Sequence, residues 1–359
     1  MRVYNFSPGP STLPEEILRQ AQQELLDWKG LGYSTLEISH HDPAFVELLR
    51  QSELDLRSLL NIPSNYQVLF LQGGGRSQFS MVPLNLLRGK NVADYLETGL
   101  WSHLAIAEAT RYCQVNVVAS NVETQYTTIP AENTWHYNPN AAYFYYVDNE
   151  TVNGIELVKR PLVKDIPLVC DMSSSLLSRS IDVSQFGLIF AAAQKNVGPA
   201  GLTIVIVRED LLDQALPITP IMFNYSAHAK AKSLYNTIPT FILYMISLMF
   251  QWVERQGGVA AMEAINLRKS RKLYDAIDTS DCYINQVDPH YRSRMNVVFH
   301  LADERLNEPF LQEARAAGLA GLKGHKTVGG MRASLYNAMP EAGVDALVAF
   351  MRDFAQRRG

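Results

Sequence analysis

Cysteine is scarce in this chain. Its 359 residues include three, Cys113, Cys170 and Cys282, an odd number at wide spacing with no CxxC pair. That excludes a disulfide framework and a zinc site of ordinary spacing, and it fits buried free thiols in a reducing compartment. Long apolar runs are also missing. The most apolar stretch, Phe241 to Phe250, is interrupted by Ser247 and falls well short of the ~20 residues that a membrane span needs. The opening residues, Met1-Arg2-Val3-Tyr4-Asn5-Phe6, carry no apolar leader. An excess of positive charge is lacking as well. Lys and Arg number 32 against 36 Asp and Glu, for a net charge of −4. A diffuse pull on nucleic acid or an anionic membrane is therefore not expected, and any bound anion must be met by a local cluster of donors. No internal repeat or low-complexity tract is visible. The expectation is a cytoplasmic protein with small-molecule partners and no metal.

What is present is a globular composition, 47% hydrophobic and 19% charged, over a length that suits two domains at roughly 150 residues each. Ser11-Thr12-Leu13-Pro14-Glu15-Glu16 signals a helix start, and apolar residues continue at helical spacing to Trp28. Pro43 to Leu60 reads as a second helix with Phe45, Leu48, Leu49, Leu56, Leu59 and Leu60 on one face. Beyond it the pattern changes to short runs: Val68–Leu71, Val92–Leu96, Val115–Val118, Tyr143–Val147, Leu168–Cys170, Leu188–Ala193 and Thr203–Val207. They are rich in β-branched and aromatic residues, are bounded by turn formers and mostly alternate with helical segments. The pattern predicts an α/β fold with a mostly parallel sheet covered on both faces. Gln256-Gly257-Gly258 then breaks a long helical region. A smaller α+β unit comes after it: a helix to about Ile277, strand Asn296–His300, helix Pro309–Ala317, strand Met331–Tyr336 and helix Glu341–Phe354.

Ligands of such sheets sit beyond the carboxyl ends of the strands, so the residues just past each run matter most. Gln194-Lys195-Asn196-Val197-Gly198-Pro199 places a lysine in a short connection between two buried strands. A partly desolvated amine there has a lowered pKa and suits Schiff-base chemistry, although turn lysines are common. Asp171 ends the run that precedes Met172-Ser173-Ser174-Ser175. It could pair with a protonated pyridine nitrogen or simply cap a turn. Gly73-Gly74-Gly75-Arg76 leads a strand into a helix, where bare amides can cradle a phosphate. It is neither a Walker loop nor a dinucleotide fingerprint. Trp101, at another helix start, could stack on a flat ring or pack in the core. Singly these signals are weak. In this order they are the four parts that hold pyridoxal 5′-phosphate (PLP) in a large α/β domain.

Taken with five longer blocks, the chain resembles the phosphoserine aminotransferase family of fold-type I, class-V PLP enzymes. The blocks are Asn5-Phe6-Ser7-Pro8-Gly9-Pro10, Gly73 to Phe79, Gln194 to Gly201, Tyr235-Asn236-Thr237-Ile238-Pro239 and Gly324 to Met339. The resemblance spans nearly the whole chain. It implies a seven-stranded-type PLP-binding domain over 16–257, a small α+β domain over 258–359, and an N-terminal arm over 1–15 that packs with the small domain. It implies one PLP per subunit as a Schiff base on Lys195, which also moves the α-proton. Asp171 would face the ring nitrogen, Trp101 would stack on the ring and Thr151 would bond its phenolic oxygen. Gly75, Arg76 and Gln194 would hold the phosphate, joined by Asn236 and Thr237 from the partner of a homodimer with shared sites. Arg332 would fix the substrate α-carboxylate. His40, His41, His325 and Lys326 would meet its far end. The implied reaction passes an amino group from glutamate to 3-phosphohydroxypyruvate, giving O-phosphoserine and 2-oxoglutarate. In bacterial relatives it extends to 4-phosphohydroxythreonine.

Three positions depart from the family pattern. His41 and Lys326 stand where arginine is usual, and Pro8 where alanine or serine is common. Histidine loses its charge near neutral pH and lysine is a point charge, whereas arginine is a permanent bidentate fork. Other reactions on the same fold also fit its frame, such as alanine–glyoxylate transamination or cysteine desulfuration, as does a non-enzymatic PLP- or phosphate-binding module. Cys282 lies in no flexible Gly/Ser-rich loop, which disfavours a desulfurase. With His41 in place of arginine, the apparent affinity for a phosphorylated substrate is expected to fall as pH rises between about 6 and 8. A flat Michaelis constant over that range contradicts this expectation.

Overall fold

The Pro43–Leu60 helix starts where local chemistry dictates. Asp42 accepts a hydrogen bond from the Ala44 N–H at 2.8 Å, and Pro43 occupies the first turn, where a missing N–H costs nothing. The helix ends on Asn61 in the left-handed conformation, with φ 50°. Its buried face, including Phe45, Leu49 and Leu56, packs against the helix Thr240–Arg255. These elements belong to a computed structural model that describes residues 2–358.

At the centre is a seven-stranded sheet. In spatial order its strands are Tyr66–Gln72, Leu202–Arg208, Leu188–Ala192, Leu168–Asp171, Phe144–Val147, Val92–Glu97 and Gln114–Ser120. Leu202–Arg208 runs antiparallel to both of its neighbours. The remaining pairings are parallel. Alternate side chains enter two apolar layers. Phe70, Phe144, Tyr146, Ile189 and Ile204 face the Pro43–Leu60 and Thr240–Arg255 helices. Leu69, Tyr95, Tyr145, Phe190 and Val205 face the helices Gly75–Leu86 and Leu100–Ala109. Burying each such side chain is worth roughly 1.5–3 kcal/mol, and helices on both faces explain why the strands read as unbroken apolar runs.

A second unit is built on the three-stranded antiparallel sheet of Tyr283–Ile284, Asn296–Leu301 and Met331–Ser334. The helices Gly258–Asp278, Asn307–Ala316 and Glu341–Arg358 cover it. Phe6 from the N-terminal segment lies in this core, and Tyr4–Asn5 pairs in parallel with Leu319–Ala320. Among the described residues no helix is long and apolar enough to cross a membrane.

Two expected elements are shorter than their patterns suggest. The first helix covers only Glu15–Gln23 and does not reach Trp28. Lys29, Gly30 and Gly32 take positive φ and turn the chain. Trp28 then packs edge-on against Tyr244 at 6.1 Å, and the Tyr244 hydroxyl donates to Glu24. Tertiary contacts have outweighed local helix propensity. The strand from Met331 stops at Ser334, short of Tyr336. Beyond it, the carbonyls of Leu335, Tyr336 and Met339 turn to the amine of Lys269, at 2.6, 2.8 and 3.0 Å.

Lys269 is fully buried, and three acceptors match its three N–H bonds. Replacing it by methionine keeps the volume but strands three buried carbonyls. Lys269→Met should cost about 3–5 kcal/mol by denaturant unfolding, and a loss below about 1 kcal/mol would show that the contacts are dispensable.

Candidate active site

The parallel strands all end at one edge of the sheet, and the site is made from the loops and turns that leave those ends. Asp171 is the last residue of its strand and is buried. Gln194 and Lys195 lie in the turn that joins Leu188–Ala192 to the antiparallel Leu202–Arg208. That turn is closed by the Gly198 N–H on the Ala193 carbonyl (2.8 Å) and by Asn196 Nδ2 on the Leu176 carbonyl (2.7 Å). Ser11 binds it from outside, its N–H donating to the Gln194 carbonyl and its hydroxyl to the Lys195 carbonyl. Gly9 passes so close that a Cβ there would lie 3.2 Å from Lys195 Cγ, with its φ at +148°. A side chain on residue 9 would press on the lysine stem.

A cavity of about 430 Å³ opens at this edge. Its lining includes Gly75, Arg76, Trp101, Thr151, Asp171, Gln194, Lys195, His325 and Arg332, all expected from the sequence. Lys195 Nζ donates to the Thr151 hydroxyl and lies 5.1 Å from the centre of the Trp101 ring. Burial draws the Lys195 amine down to about 8, against the opposing pull of Asp171 and Glu150, while Arg332 adds to the fall. Burial raises the Asp171 carboxyl, and Ser173 and Lys195 partly offset it. Asp171 has no ion-pair partner among the described residues; its carboxylate accepts from the Ser173 N–H at 2.9 Å.

Arg332 is the other unmatched charge. It is buried, its Nη1 donates to the Thr151 carbonyl at 3.3 Å, and its Nε has no partner among the described residues. Burial disfavours its charge. No carboxylate of the described residues pairs with it, so the cavity offers a desolvated guanidinium to an incoming anion. The buried Trp101 Nε1 is likewise without a partner. Gly75 and Arg76 open the Gly75–Leu86 helix, where amide N–H groups are free to meet a phosphate. An acid without an ion-pair partner among the described residues, a desolvated lysine, an indole 5.1 Å from its amine and a helix start together fit PLP.

Five expected residues do not line this cavity: His40, His41, Asn236, Thr237 and Lys326. Lys326 is exposed. The Thr237 hydroxyl and His40 Nδ1 are 2.9 Å apart, and the His40 and His41 rings lie 3.9 Å apart. Asn236 and Thr237 are exposed, and the Thr237 carbonyl accepts from Gln72 Nε2. These four residues form a surface group of their own. Burial, then the neighbouring His41, lowers the His40 pKa, and burial also lowers that of His325.

The sequence reading passed over Asn149, Glu150 and Gly9. Asn149 and Gly9 line the cavity, while Glu150 is fully buried behind Trp101. A charged residue at the end of an apolar run was the available signal for Glu150. None of the three cysteines lines the cavity. Cys170 lies within the sheet with its thiol pKa raised by burial, and Cys282 stands at the small sheet.

A family model described as class-V aminotransferases matches residues 3–347. The phosphoserine aminotransferase of Coxiella burnetii (strain CbuG_Q212) is 56% identical over 359 residues, covering all of this chain and 99% of its own. The solved phosphoserine aminotransferase of Bacillus circulans subsp. alkalophilus superposes with a TM-score of 0.97 at 42% identity, covering 100% of this chain and 99% of its own. A PLP-bound phosphoserine aminotransferase from Trichomonas vaginalis gives 0.95 at 42% identity, covering 98% and 100%. The chain belongs to the phosphoserine aminotransferase family, within the PLP-dependent class-V aminotransferases.

Proposed function

We propose that this enzyme transfers the amino group of glutamate to 3-phosphohydroxypyruvate, producing O-phosphoserine for serine biosynthesis. The observation that carries the reading is Arg332, a buried guanidinium with no acidic partner among the described residues, which opens into the same cavity as Lys195. An amino acid brings the carboxylate that Arg332 lacks. Bound PLP would supply an aldehyde for a Schiff base and a ring that delocalises the electrons left when a Cα–H bond breaks.

The protein's own groups carry the rest. Arg332 holds the α-carboxylate and so aims the Cα–H bond at Lys195. The Lys195 amine, drawn down to about 8, accepts the Cα proton and later returns it. Thr151 orients that amine through its hydroxyl. Asp171 supplies negative charge to the ring nitrogen, and Trp101 gives a flat apolar wall. Gly75, Arg76 and Gln194 hold the cofactor phosphate. His325 and Lys326 serve the far, anionic end of the substrate.

We further propose a homodimer in which Asn236 and Thr237 reach the phosphate in the partner's site. Because His40 is bonded to Thr237 and its ring lies against that of His41, both histidines come with them. The partner would then add His40 and His41 to the His325 and Lys326 that the subunit itself offers the substrate phosphate.

The direct test is turnover of glutamate with 3-phosphohydroxypyruvate, with borohydride reduction and peptide mapping alongside. A pyridoxyl adduct on Lys195 is expected, and an adduct on another lysine overturns the assignment. Arg332→Gln should raise the Michaelis constants of both amino-acid and oxo-acid substrates by roughly 100-fold, the worth of a charge-assisted hydrogen-bonded pair. An unchanged constant contradicts the role of Arg332. The free amine of Lys195 becomes more abundant as pH rises through about 8. Apoprotein should therefore recover PLP faster as pH is raised from about 7 to 9 and level off above that. A rate independent of pH contradicts the lowered amine.

A further inference from the structure

Glu150 is completely buried, yet it does not line the cavity. Its carboxylate is spent on the first turn of the Leu100–Ala109 helix. Oε2 accepts from the Trp101 N–H at 2.9 Å, and Oε1 accepts from the Ser102 N–H at 2.8 Å and the Ser102 hydroxyl at 2.7 Å. Asn153, in the same loop, accepts from the Leu100 N–H through Oδ1 at 3.2 Å. The amides from Leu100 to Ser102 would otherwise be open at a helix start, and a carboxylate suits the positive end of the helix.

Space has been cleared for this contact. Gly99 has extended backbone, but a Cβ there would sit 2.6 Å from Glu150 Cδ and 2.7 Å from Cγ. Any larger residue at 99 would push the carboxylate off the helix. The next residue in the loop, Thr151, accepts from Lys195. One loop therefore grips the helix that carries the Trp101 ring and also the lysine that lies 5.1 Å from that ring's centre.

We propose that Glu150 is a positioning residue for the transamination: its carboxylate locks the first helical turn so that the Trp101 indole stands at a set height over the cofactor beside Lys195. The inference rests on the reading of Trp101 and Lys195 as cofactor contacts. An amide cannot replace the acid, because its NH₂ would face N–H donors where only acceptors fit. The negative charge of Glu150 also favours the protonated form of Lys195, so the loop influences the amine as well as the ring.

A double-mutant cycle on the full chain tests this, with PLP affinity measured by titration of dialysed protein. Glu150→Gln should weaken PLP binding by roughly 10-fold when Trp101 is present, and by less than about 2-fold when Trp101 is already alanine. An equal loss in both backgrounds overturns the proposal, because Glu150 would then act on the fold and not through the indole. If Glu150→Gln does not fold, Ser102→Ala serves in its place: it leaves the carboxylate but removes the hydroxyl that donates to it and that accepts the Thr98 and Gly99 N–H groups, and its loss should depend on Trp101 in the same way. Should Trp101→Ala bind PLP as tightly as the wild type, the cofactor reading of Trp101 fails and the proposal goes with it. Should Trp101→Ala lose affinity while Glu150→Gln does not, only the proposal fails.

Discussion

The exclusion of water from one amine organises this site. Lys195 has lost most of its hydration, and its proton is held loosely as a result. Two buried acids, Asp171 and Glu150, pull the proton back, and the Arg332 charge pushes it off. Two acids and two cations thus share one dry region, and each opposite charge lowers the cost of burying the other. An amine balanced near neutrality can both take and return a proton.

The fold supplies that balance from distant parts of the chain. Parallel strands bring Asp171 and the Gly75 helix start to one edge of the sheet. A single reversed strand, Leu202–Arg208, allows the Lys195 turn to be short and rigid. The small unit adds Arg332 and fastens itself to the same turn. The Asn337 N–H donates to Asn196 Oδ1 at 2.8 Å, and Asn266 Nδ2 donates to Asn337 Oδ1 at 2.8 Å. The Tyr336 hydroxyl donates to the Pro8 carbonyl at 2.7 Å and so holds the segment that carries Gly9 against the lysine.

Much of this was legible in the residues. Strands that carry apolar side chains on both faces write long apolar runs, and the turn chemistry after each run marked Lys195, Asp171, Gly75 and Trp101. Features that depend on remote contacts were not legible. Trp28 leaves its helix because Tyr244 is nearby, and the strand at Met331 stops because Lys269 claims the next carbonyls. Glu150 escaped notice for the same reason, since its partners lie some fifty residues earlier in the chain. Asn236 and Thr237 sit with His40 on an exposed surface, where one chain shows them beside each other but not beside the cavity. Only the family resemblance had connected them to the cofactor.

The pairing of Tyr4–Asn5 with Leu319–Ala320 has a consequence for synthesis on the ribosome. A growing chain exposes its first residues long before their strand partner is made. Lys195 and Asp171 also emerge well ahead of Arg332 and Asn337. The sheet domain can begin to fold as it emerges, but its lysine must wait for Arg332 until the last part of the chain is released. Completion of the cavity is therefore a late event, and a chain truncated between residues 208 and 332 would have the lysine and its sheet but lack Arg332.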